Sequence, residues 1–119
     1  MKQIPFLKFK EREETKGIMV FCTEDDMPVE KYARIMMRKG WFSVGYNYLI
    51  HPDGTIEEGL SPNECCDPTL SGWEDHMCVL VMGRDDDKPN RQQDEALFRL
   101  SKIYDLPLYH DGFFHLIKG

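Results

Sequence analysis

Two short stretches of this chain are apolar at every position, and they organise the rest. Residues 17–22 (Gly-Ile-Met-Val-Phe-Cys) and 77–82 (Met-Cys-Val-Leu-Val-Met) carry no polar alternation. Runs of that length without a 3.6 period predict strands covered on both faces. Between them, Pro28 is suited to open a helix. Val29, Tyr32, Ala33 and Met36 then share one helical face, and Gly40 suits its left-handed end. Residues 44–50 are rich in aromatic and β-branched types and predict a strand. Pro52-Asp53-Gly54 is turn chemistry, and residues 55–58 return as the partner strand.

Residues 60–74 hold Pro62, Asn63, Pro68, Ser71 and Gly72 without periodicity, which predicts a long loop. After an acidic turn over 83–90, a helix from Arg91 places Leu97, Leu100, Ile103 and Tyr104 on one face. Residues 106–110 form an edge strand that tolerates Pro107. The predicted order β-α-β-β-loop-β-α-β implies an α/β fold: one mixed sheet flanked by helices, in a single domain over residues 1–119.

Composition adds limits. The 119 residues are enough for one hydrophobic core, and 41% are hydrophobic. The net charge of −6 argues against direct nucleic-acid binding, which needs clustered Lys and Arg. It leaves room for a basic protein partner. The amino-terminal residues show no apolar signal core, and no run is long enough to span a bilayer, so a cytoplasmic location is expected. The four cysteines (22, 65, 66 and 78) are then expected as free thiols.

Several residues invite chemistry. Adjacent Cys65 and Cys66 lack the spacing that turns two thiolates toward one ion, so they read as loop thiols with one of them buried. Cys22 with His76 or His110 offers a nucleophile and base, but Cys22 falls on the face of its strand opposite Phe21. Glu24-Asp25-Asp26 and Asp85-Asp86-Asp87 read as solvated turns. Phe21, Tyr46, Trp73 and Tyr109 are candidates to line one aromatic groove, suited to a planar ligand or a partner's side chain.

The stretch Trp41-Phe42-Ser43-Val44-Gly45-Tyr46-Asn47-Tyr48, leading into Pro52-Asp53-Gly54-Thr55 and Glu58-Gly59, resembles the type-2 N-acetylmuramoyl-L-alanine amidases. That superfamily includes the peptidoglycan recognition proteins. The likeness is strongest to small phage amidases of the lysozyme type. It starts at Phe9-Lys10-Glu11-Arg12-Glu13, runs through residues 18–22 and the hairpin to Cys78-Val79-Leu80-Val81-Met82-Gly83, and fades in the last helix. It implies the amidase fold, shortened at its C-terminal end.

In that family two His and one Cys hold a zinc ion and leave one position open for water. By resemblance, the first His position is Phe21 and the second is Tyr109, within Tyr109-His110-Asp111; no Cys follows Cys78. Tyr46 matches the family's catalytic tyrosine. Neither a phenyl ring nor a neutral phenol is a competent zinc ligand, so the expectation is that no metal or cofactor is held and amidase activity is lost. Alternation aims His110 away from the face of Tyr109, which leaves a replacement site built from His110 or His115 as the lesser alternative.

The function expected on this basis is that of an inactive amidase-fold protein. It would bind and inhibit a macromolecule, either a host defence component or RNA polymerase, using Phe9, Lys10 and Arg12. Two other readings compete: binding of a muropeptide or nucleotide in the aromatic groove, and a zinc amidase with rearranged ligands.

Overall fold

The computed structural model describes residues 11–40, 44–70, 72–86 and 88–110. Five strands and two helices follow one another as β1 (Gly17–Cys22), α1 (Val29–Arg38), β2 (Tyr48–Ile50), β3 (Ile56–Glu58), β4 (His76–Val81), α2 (Arg91–Tyr104) and β5 (Leu108–His110). They form one mixed sheet in the order β3-β2-β4-β1-β5. Strands β2, β4, β1 and β5 run parallel, and β3 is the antiparallel return of the hairpin. The two apolar runs are thus neighbours at the centre of the sheet.

Their lack of alternation has a direct cause. Ile18 and Val20 of β1, with Met77, Val79 and Val81 of β4, face Ala96, Leu97 and Leu100 of α2. Met19 and Phe21, with Cys78 and Leu80, face the other way, toward half-buried Val29, Tyr32 and Ala33 of α1 and toward Val44, Cys66 and Trp73. Each face carries its own core, so every position must be apolar.

Helix α2 is firmly specified. Asn90 and Gln93 form a reciprocal capping box at its start. Gln93 is fully buried, and its Nε2 donates to the Met82 carbonyl at 2.7 Å and to that of Ile50 at 3.4 Å, tying the helix to the ends of β4 and β2. Helix α1 has no side-chain cap from Pro28; instead Glu57 of β3 accepts the Val29 N–H at 3.2 Å. Among the described residues, no helix is long and apolar enough to cross a membrane.

The structure departs from the sequence reading at three places. The first hairpin strand is only Tyr48–Ile50 rather than residues 44–50. Gly45 lies at φ +82°, outside any strand conformation, and breaks the run. Ile103 is 71% exposed rather than part of the core stripe. At about 100° per residue it lies some 120° around the helix from Leu97, whereas Tyr104 returns to that face. Cys65 and Cys66 are both buried, not one of the two.

One buried side chain joins segments far apart in the chain. Asn47 is fully enclosed. Its Nδ2 donates to the carbonyls of Ser61 (2.8 Å) and Glu64 (3.0 Å). Its Oδ1 accepts from the Cys78 amide (2.9 Å), the Cys66 thiol (3.0 Å) and the Arg12 guanidinium (3.3 Å). Replacing Asn47 with Ala strips these partners inside the core, where each orphaned group costs about 1–3 kcal/mol. We expect Asn47→Ala to lower unfolding stability by about 2–4 kcal/mol, read as a shifted urea midpoint; a loss under half a kcal/mol would refute the role.

Candidate functional site

The sheet brings together the aromatic residues singled out in the sequence. Phe21, near the end of β1, meets the Tyr46 ring edge-on at a centroid distance of 5.6 Å. Trp73 and Tyr109 pack against the same cluster. Tyr109 pairs with Met19, two residues before Phe21 and on the same face. It also makes an edge contact with the His76 ring at 5.9 Å. His110 is in register with Val20, whose side chain packs toward α2, so alternation puts His110 on the other side of the sheet.

Tyr46 is placed by its main chain. Its carbonyl accepts the Leu60 N–H at 2.8 Å, and the flanking Gly45 carbonyl accepts that of Asp67 at 2.9 Å. A side chain at Gly45 would bring its Cβ to 2.9 Å from that of Asp67, and one at Gly59 would collide with the Tyr46 carbonyl. The two glycines let three backbone segments close around the tyrosine.

Of the two histidines offered as a base for Cys22, His110 lies on the same side of the sheet, two register positions away, and His76 does not. His76 is level with Gly17 at the start of β1, and Cys22 lies at its far end, so the two cannot act as nucleophile and base. Five residues of strand separate them, about 16 Å. Cys22 packs against the α2-side core instead. His76 is buried, with Nδ1 at 2.6 Å from Asp75. Arg12 spends its guanidinium inside the chain, on the carbonyls of Pro62 and Glu64, on Asn47 and on Thr15. Phe9, Lys10 and His115 lie outside the described residues.

Zinc, which the fold implies, does not fit the two matching positions. Phe21 offers only hydrocarbon, packed against another ring, and Tyr109 offers a phenol. Among the described residues, no group of three or more His, Cys, Asp or Glu converges to hold a metal.

A second site was not recognised in the sequence. His51, 14% exposed at its side chain, sits between two carboxylates. Its Nδ1 is 2.9 Å from Asp26 of the β1–α1 loop, and its Nε2 is bonded to Glu57 of β3. These residues, with Met27, Pro52 and Asp53, line a cavity of about 500 Å³ at the carboxyl ends of the parallel strands. Burial pulls the imidazole pKa down, but the bonds and charges of Asp26 and Glu57 outweigh it, and the net shift is upward. The hairpin register held the signal: Leu49 pairs with Glu57 and Ile50 with Ile56, so residue 51 lies diagonal to Glu57 on one face. Asp26 read as one of three solvated acids, and only the fold reveals its partner.

The fold is that of the amidase and peptidoglycan-recognition class of proteins. The solved amidase LysC of Clostridium intestinale superposes with a TM-score of 0.70 at 22% identity, covering 86% of this chain and 73% of that one. Human PGRP-IBETAC, solved with glycosamyl muramyl pentapeptide, gives 0.70 at 19% identity, covering 92% and 78%. At these identities the likeness is one of fold. No family model matches the chain.

Sequence relatives are more specific. The chain is 33% identical over 117 residues to the endolysin of Enterobacteria phage K11, covering 95% of this chain and 73% of the relative. It is 35% identical over 86 residues to the endolysin of Escherichia phage T7, 69% of this chain but 57% of that protein's length. With the endolysin of Klebsiella phage KP32 the match spans 38% of the relative. This chain belongs to the phage endolysin family.

These relatives correct the expectation of a protein that is not an enzyme. Endolysins at 33–35% identity speak for an amidase-class enzyme.

The packing around Tyr46 has a measurable consequence. We expect Gly59→Ala to cost about 1–3 kcal/mol through overpacking and to change the near-ultraviolet dichroism of the aromatic face. Unchanged stability and spectrum would refute the close packing.

Proposed function

We propose that this chain acts on peptidoglycan, engaging muramyl peptide across the face that carries Phe21, Tyr46, Trp73 and Tyr109. The observation that carries this reading is the 33% identity to a phage endolysin along nearly the whole chain. The glycan-peptide complex of a protein with the same fold supports the ligand class. Tyr46, Trp73 and Tyr109 are half-buried around the buried Phe21 ring, and partly exposed aromatic side chains suit a sugar-peptide ligand because they offer apolar surface at little conformational cost. Tyr46 is the residue closest to chemistry, with a hydroxyl able to donate to or accept from the scissile amide.

The reaction expected of this class adds water across the amide joining the lactyl group of muramic acid to L-alanine. It leaves a carboxylate on the sugar and a free amine on the alanine. Purified sacculi incubated with the protein should therefore gain N-terminal alanine without new reducing ends, and should pull the protein down on sedimentation. Tyr46→Phe should lower alanine release by about a hundredfold while sedimentation persists. Neither alanine release nor sedimentation from wild-type protein would overturn the proposal.

A further inference from the structure

We propose that His51 is a pH-operated clasp: as imidazolium it holds the β1–α1 loop against the β2–β3 hairpin, and as neutral imidazole it lets that loop go. Both ring nitrogens face carboxylates, on two different elements, at the wall of one cavity. An imidazolium has two N–H donors and satisfies both acceptors at once. A neutral imidazole has one donor, so the other nitrogen turns a lone pair toward a carboxylate. One of the two contacts must then fail.

The surroundings decide which. Glu57 has a second partner, the Val29 N–H at the start of α1, where a carboxylate is favoured by the helix dipole. Asp26 is 48% exposed at its side chain and can take up water instead. The Asp26 contact is therefore the one that opens. Other charge near the ring comes from Asp53 in the hairpin turn, whose carboxyl is held low chiefly by the Thr55 amide and hydroxyl and in lesser part by His51. Helix α2 presents neutral Asn90 there, bonded to the Pro52 carbonyl at 2.9 Å. Among the described residues that line the cavity, the ionic groups other than His51 are all acidic, and Asp26 and Glu57 favour the protonated ring.

The sign follows from the upward shift of the imidazole. The clasp is complete below the ordinary imidazole range and is lost as pH climbs through the raised value. Opening widens the 500 Å³ cavity from the Asp26 side and leaves α1 capped.

Amide hydrogen exchange, corrected for the intrinsic effect of pH, tests this on the intact protein. The Gly83 N–H donates to the Asp25 carbonyl at 2.8 Å and reports the loop, whereas the Val29 N–H reports α1. Between pH 5.5 and 8.5, protection of Gly83 should fall severalfold while that of Val29 holds, and His51→Gln should abolish the pH response. If His51→Gln does not fold, Asp26→Asn keeps the shape, removes the charge and should likewise give a flat profile. Constant Gly83 protection, a parallel fall at Val29, or a pH response that survives the substitution would each overturn the clasp.

Discussion

The enclosed amide of Asn47 is the point at which this chain is tied to itself. A carboxamide placed in a core has to find partners for two donors and an acceptor. Here they come from β4, the 60–66 loop and the segment before β1. None of those segments is near Asn47 in sequence, so the residue selects one arrangement among many that would bury the same apolar surface. Tyr46 precedes it directly. The polar knot around Asn47 is thus the immediate chain neighbour of the Tyr46 backbone bonds to Leu60 and of the Tyr46 ring contact with Phe21.

The elements legible in the sequence are those set by apolar surface. Continuous apolar runs at 17–22 and 77–82 announced central strands, because burial on two faces leaves no polar position to interrupt them. Turn chemistry at Pro52-Asp53-Gly54 located the hairpin for a similarly local reason. What stayed hidden depends on partners distant in sequence. Asn47 reads as one polar residue in an aromatic strand, and Arg12 as a surface charge. Asp26 is indistinguishable from its neighbours until the β1–α1 loop is folded against the hairpin. Strand alternation can place only Phe21 and Tyr109 on that shared aromatic face, because Tyr46 and Trp73 sit in loops and join them only in the fold; the two substituted positions carry less about activity than their chemistry implies.

The sheet separates two tasks. Its α2 side is apolar and closed by a capped helix whose Gln93 locks onto strand ends. Its α1 side holds the aromatic cluster, covered by a helix with no fully buried residue and an N-terminus capped from another strand. Both faces hold a buried core, but only the α1 side carries the half-buried Tyr46, Trp73 and Tyr109. That division suits a protein that must hold a scaffold still while a neighbouring surface accommodates a polymer.

The sheet order also dictates how the chain can assemble. β1 is bordered by β4 and β5, and the register joins residue 18 to residues 77 and 108. Among the described residues, the hairpin is the one pairing between strands adjacent in sequence, and the parallel pairings all require long loops to close first. During synthesis the first strand therefore emerges with both hydrogen-bonding edges bare. It stays so on one side until β5, about 85 residues further along the chain, has been made. An apolar strand waiting that long is a natural target for a chaperone or for another copy of itself.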